Sequence, residues 1–179
     1  MLPPIKRTSS PLRKMNRPDA GKGWGKAYFY LGLALLAAFA LQEANNWRWS
    51  WLAEMQGNNL YRQLSGFALV TYLAQQWHCS VLRNRGIMRK AGRILKRHKV
   101  FGSLAPVFFY THSQSLGYAY LQVLSLAYFA IFLTGLFNFE ITRIHKPWFQ
   151  TIWITVHIGP AMGLLLLLGY HIFISYAYT

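Results

Sequence analysis

Four histidines are the residues best suited to chemistry in this chain, because they form two pairs with the same spacing. His98 and His112 stand 14 positions apart in an otherwise apolar segment, and His157 and His171 repeat that spacing. On a helix, this spacing falls only about 40° short of four full turns, so both members of a pair face the same way, about 21 Å apart along the axis. Two such helices side by side present facing imidazole pairs at two depths. That geometry suits two haems stacked across a lipid bilayer.

Histidine is costly to place in hydrocarbon, so histidines within membrane segments are candidates for function. It is also a common axial ligand of haem iron. The alternative is that each histidine only hydrogen-bonds to a neighbouring helix, but this does not explain two identically spaced pairs. The predicted metal ligands are His98, His157, His112 and His171. His78 and His145 lie near the same predicted membrane boundary as His98. Either of them, in place of His98, could therefore be the ligand on that side.

The composition favours an integral membrane protein. Of 179 residues, 54% are hydrophobic and 13% are charged, about half the charged share of an average soluble protein. The net charge of +15 could suggest nucleic-acid binding, but long apolar runs separate the basic blocks and argue against it. The single cysteine, Cys79, excludes a Cys-x-x-Cys-His site for covalent haem attachment. Any haem is therefore expected to be b-type and held without a covalent bond.

The apolar runs predict an all-α membrane bundle of about five spanning helices. Residues 1–26 are basic and lack apolar periodicity, which predicts a flexible N-terminal arm ahead of a transmembrane domain at 27–179. Residues 83–99 combine eight basic residues with recurring apolar ones, as in an amphipathic helix on the membrane surface. The predicted spans are residues 27–42, 61–82, 98–114, 118–138 and 150–175.

Basic residues predict the orientation of these spans. With five crossings, three basic segments share one side of the membrane. They are the arm with seven of the 19 Lys and Arg residues, the 83–99 block with eight and the 139–149 loop with two. The positive-inside rule then places the N-terminus in the cytoplasm, and the expected location is the bacterial inner membrane. The third and fifth helices become parallel.

Three further residues are predicted to contact the haem nearer the cytoplasm. Gly102 lies one helical turn after His98, where the missing side chain would let a porphyrin face approach the backbone. Arg97 and Lys99 flank His98 and could pair with the haem propionates. The alternative for both cations is a solvated basic loop.

At these residues the chain resembles the ferric reductase-like transmembrane superfamily. That group includes the membrane domains of NADPH oxidases and ferric reductases and the haem-binding membrane subunit of periplasmic methionine sulfoxide reductase. The similar features are His98-Lys99 with Gly102, then His112, then the later histidine pair, over roughly residues 61–176. The resemblance implies that His98 and His157 share one haem b and that His112 and His171 share the other.

The predicted function is therefore transmembrane electron transfer by the membrane subunit of a redox system. No Gly-x-Gly-x-x-Gly fingerprint for a nicotinamide or flavin domain is present, so the expected electron donor is a separate flavoprotein or a quinol. The expected acceptor is an external protein or small molecule. The alternatives are a non-catalytic accessory or assembly subunit of a larger membrane complex and a quinol-reactive cytochrome b anchor. Membrane lipid is an expected partner in each case, and whether the chain is itself an enzyme stays open.

Overall fold

A computed structural model describes residues 24–144 and 146–177. This part of the chain is all helical, in agreement with the predicted class. Most of the predicted arm and His145 lie outside the described residues. The helices are α1 (Trp24–Ala44), α2 (Ser50–Gly57), α3 (Asn59–Asn84), α4 (Met88–Ser103), α5 (Ala105–His112), α6 (Tyr120–Leu136), α7 (Phe139–Thr142) and α8 (Pro147–Ala177).

The predicted surface helix at 83–99 and third span at 98–114 are divided differently in the structure. Helix α4 joins the basic block to His98, and the chain breaks at Leu104 before α5 begins. Pro106, the second residue of α5, explains the break, because it has no N–H to bond the carbonyl one turn earlier, whereas the first turn of a new helix tolerates proline. The Leu104 N–H closes α4 with a 3.0 Å bond to the Phe101 carbonyl.

Aromatic packing at the centre of the bundle holds α1, α5 and α6 together. Phe39 of α1 lies with its ring centroid 4.9 Å from that of Phe129 in α6, and Phe109 of α5 lies 4.8 Å from the same ring. Tyr128 is also buried and donates a 2.8 Å hydrogen bond to the Ala105 carbonyl. Helix α3 packs along α4 and α5, and α8 packs mainly along α6. The core therefore includes α5, which contains His112, and α8 lies against it through α6.

A hydrogen-bonded glutamine fixes the end of α5 that contains His112. Gln114 is only 4% exposed, and its side chain accepts a 2.8 Å bond from the Trp49 N–H and a 3.1 Å bond from the Tyr110 hydroxyl. Its backbone carbonyl accepts a 3.2 Å bond from Gln42 of α1. Because these bonds link α5 to α1 and to the segment before α2, the backbone next to His112 is held from two sides.

Two of the described helices are long and apolar enough to cross a membrane, namely residues Lys26–Ala44 of α1 and the whole of α8. A third apolar helix, α6, is shorter, with 17 residues. In the most apolar window of α8 only 6% of the residues are buried, whereas the core helix of a soluble protein would be mostly buried. The apolar surface of α8 therefore faces outward from the chain.

Candidate functional site

The four predicted ligands come together as two pairs in the structure. The ring centroids of His98 and His157 lie 6.2 Å apart with the rings at 90°, and those of His112 and His171 lie 6.3 Å apart at 80°. His98 belongs to α4, His112 to α5, and both partners belong to α8. Since the earlier histidine of each segment meets the earlier histidine of the other, α4–α5 and α8 run in the same direction.

The separation of the rings matches two imidazoles on opposite sides of one metal ion. An imidazole nitrogen binds a metal at about 2.0 Å and lies about 1.15 Å from its ring centre, so such a pair has ring centres about 6.3 Å apart. A direct hydrogen bond or face-to-face stacking between the two rings would require a shorter distance, whereas an edge-to-face contact of two rings spans about 4.5–7 Å. Both observed separations agree with the metal-bridged value to about 0.1 Å.

His112 is held from α3 by the dipeptide Ser65-Gly66. The Ser65 hydroxyl lies 3.1 Å from His112 Nδ1 and donates its own hydrogen to the Arg62 carbonyl at 3.2 Å. It therefore accepts from the Nδ1–H of His112. A Cβ added at Gly66 would lie 3.2 Å from His112 Cε1, tighter than ordinary van der Waals contact. The glycine lets the ring lie directly against the α3 backbone.

His157 has an equivalent support from α6, made by Thr134-Gly135. The Thr134 hydroxyl lies 3.0 Å from His157 Nδ1 and donates to the Ile131 carbonyl at 2.8 Å, so it accepts from the ring nitrogen. A Cβ at Gly135 would lie 3.1 Å from His157 Cε1. On the other side, Trp153 stacks on the ring at a centroid distance of 5.2 Å and an angle of 12°. The ring is thus restrained by Trp153 on one face and by the α6 backbone at Cε1.

The remaining two histidines differ from each other. His98 Nδ1 lies 3.2 Å from the Gln76 carbonyl, which can only accept, so Nδ1 holds the hydrogen. His171 Nδ1 is buried and has no hydrogen-bond partner among the residues that the structure describes. In His98, His112 and His157 the hydrogen on Nδ1 leaves the lone pair on Nε2. Such a partner behind the ring is the usual way in which proteins fix the tautomer of a metal-binding histidine.

A cavity of about 570 Å³ surrounds the first pair, between α3, α4, α6 and α8. This volume is within the range of roughly 300–1,000 Å³ for small-molecule sites. Four of the residues predicted to contact a haem line this cavity, namely His98, His157, Lys99 and Gly102. Arg97 does not, and it lines a separate groove on the other side of α4. Of the two flanking cations, Lys99 is therefore the one at this cavity.

Each pair supplies too few ligands for a bare metal ion. Within residues 24–144 and 146–177, no three His, Cys, Asp or Glu side chains form a group that could hold one. Zinc typically takes about three or four protein ligands. Haem iron already has the equatorial nitrogens of its porphyrin and needs only axial ligands from the protein. The two opposed imidazoles of the first pair, with oriented Nδ1–H groups and a cavity around them, fit this group.

The two hydroxyl–glycine dipeptides, Ser65-Gly66 and Thr134-Gly135, were not predicted from the sequence. Their repetition in two helices was a usable signal, since small residues mark close helix contacts in membranes. The Gln76 carbonyl had no such signal, because any backbone position can supply a carbonyl. His78 is exposed on α3 and lines the separate groove, whereas His98 is the histidine that meets His157.

No protein-family model matches this chain, and comparisons with curated proteins and with solved structures give no match either.

Proposed function

We propose that this protein transfers electrons across a membrane through two b-type haems, each held by two histidines. His98 and His157 would hold one haem, and His112 and His171 the other. The observation that supports this most strongly is the pair of ring separations of 6.2 and 6.3 Å, each with too few other ligands nearby for a bare ion. Along α8, the two sites are about 21 Å apart.

The proposed setting is a five-helix bundle in the bacterial inner membrane, with α1, α3, α4–α5, α6 and α8 as spans. The outward apolar surfaces of α1 and α8 support this setting. Helix α3 has 26 residues and is about 39 Å long, enough to cross a hydrocarbon core of about 30 Å. The basic residues predict that the His98 end faces the cytoplasm.

Bound haem would supply reversible one-electron chemistry at each site. The chain's own residues would orient the axial imidazoles and exclude water. Hydrogen bonds from Nδ1–H set the planes of three of the imidazole rings. Their acceptors are Thr134, Ser65 and the Gln76 carbonyl. Phe109, Tyr128 and Phe129 fill the core of the bundle and would provide the low-dielectric setting. No residue needs to act as an acid, base or nucleophile.

The proposed relatives are the members of the ferric reductase-like superfamily, which the histidine spacing resembles. The proposed electron donor is a cytoplasmic flavoprotein or a membrane quinol, and the acceptor is a protein or small molecule outside the cytoplasm. Such a subunit would work with a partner in a larger membrane complex.

Haem content tests the proposal directly. The full chain purified in mild detergent from cells supplied with haem is expected to contain about two haems and to show a reducible b-type absorption spectrum. Acid–acetone extraction is expected to remove the pigment, since no covalent bond holds it. A colourless protein, or a non-haem pigment, would contradict electron transfer and favour the accessory-subunit alternative.

Thr134→Val is expected to weaken haem retention at the His98–His157 site. The substitution keeps the side-chain shape but removes the acceptor for His157 Nδ1–H, and loss of such a partner typically reduces metal affinity about 10- to 100-fold. The measurement is the rate of haem transfer to apomyoglobin. Thr155→Val is the matched control, since Thr155 also lies in an apolar helix but bonds only a backbone carbonyl, that of Thr151. Equal transfer rates in both variants would contradict the role of Thr134.

A further inference from the structure

A second cavity, of about 660 Å³, lies between the C-terminal half of α3 and helix α4. It shares no lining residue with the cavity around His98 and His157. Its lining combines a set of apolar side chains with a set of basic ones. The apolar residues are Leu82, Ile94, Val100 and Phe101, and the others are His78, Arg93, Lys96 and Arg97. We call this cavity the α3–α4 groove.

The charges of the α3–α4 groove select an anion. No acidic residue lines it, and Arg93 and Arg97 are both exposed. These two arginines lie four positions apart on α4 and therefore project from the same face of the helix. Guanidinium groups bind phosphate oxygens with two parallel hydrogen bonds, so an adjacent pair suits a phosphate group.

The apolar part of the groove selects a ligand that also has a hydrocarbon chain. Phe101 is 40% exposed although it is a large hydrophobic residue, and Val100 beside it is half-buried. Both follow the arginines along α4, toward the apolar α5. A ligand along this direction would have its charged group at Arg93 and Arg97 and its apolar part at Val100 and Phe101. Basic pockets between helices at a membrane boundary bind anionic lipid head groups in this way.

We propose that the α3–α4 groove binds one anionic phospholipid. The phosphate lies between Arg93 and Arg97, and an acyl chain covers Val100 and Phe101. The inference depends on the proposed membrane location but not on haem binding, because the two cavities have no residue in common. A protein without haem would still show the lipid site, so the two proposals fail independently.

The test titrates short-chain phosphatidylglycerol onto the full chain in neutral detergent and follows the melting temperature, with bound lipid counted by native mass spectrometry. One lipid is expected to bind saturably and to raise the melting temperature, whereas phosphatidylcholine and inorganic phosphate are expected to have little effect. Arg93→Gln combined with Arg97→Gln is expected to weaken binding about 30-fold. Ile94→Trp fills the groove without a charge change and is also expected to reduce binding.

The matched control is Arg143→Gln combined with Lys146→Gln, which removes the same charge from exposed residues outside the groove. This control is expected to bind the lipid as the wild type does. An equal effect of phosphatidylcholine or inorganic phosphate would overturn the site. So would equal affinity in the Arg93/Arg97 variant and the control.

Discussion

His112→Ala is expected to reduce the haem content from about two per chain to about one. His112 and His171 face each other across 6.3 Å, and the other pair lies about four helical turns away on α8 with its own supporting residues. Loss of one axial imidazole should therefore release only the nearer haem. His171→Ala should have the same effect, because it removes the opposite ligand of the same pair.

Haem content by the pyridine haemochrome method, together with the reduced-minus-oxidised spectrum, measures this result. His78→Ala is the control, since His78 is exposed and lines the α3–α4 groove. It does not lie between the two histidines of either pair. That variant should keep both haems. A spectrum that neither His112→Ala nor His171→Ala changes would reject the proposed pairing.

Gly135→Val is expected to remove the other haem, although residue 135 is not a ligand. The first added carbon would lie 3.1 Å from His157 Cε1, and the branch of valine adds further bulk at the same place. The ring cannot move away without losing its bond to Thr134 or its stacking on Trp153. Overpacking of this kind costs about 1–3 kcal/mol, and here it would displace a proposed iron ligand.

Gly163→Val separates this effect from the general cost of valine in a helix. A Cβ at Gly163 of α8 would meet no atom within 4 Å, so the substitution changes helix propensity without new contacts. The Gly163 variant should keep about two haems, and the Gly135 variant about one. Both variants should retain the His112–His171 haem in its spectrum. Two haems in Gly135→Val would show that the ring has room to shift.

The helical elements could be predicted from the sequence because each apolar run is long enough for several helical turns and is bounded by polar or basic segments. The predicted first span at 27–42 corresponds to α1, and the span at 150–175 corresponds to α8. The position of the break between α4 and α5 was not predicted. It depends on Pro106, whose effect on one turn of helix is local and was hidden by the apolar character of its neighbours.

The side chains around the candidate site were harder to predict than the histidines. Regular spacing reveals residues that share a face of one helix, but not which neighbouring helix lies against that face. For this reason Ser65 and Thr134 were missed. Arg97 and Lys99 are two positions apart and therefore point about 200° apart around α4, so only one of them lines the cavity around His98.

The hydroxyl–glycine dipeptides also imply an order of events during synthesis of the chain. Ser65 precedes His112 by 47 residues, and Thr134 precedes His157 by 23. Each dipeptide therefore leaves the ribosome before the histidine that will pack against it. In the proposed membrane setting, α3 or α6 would be in place when its histidine arrives, and capture of the proposed haems would be the last step of biogenesis.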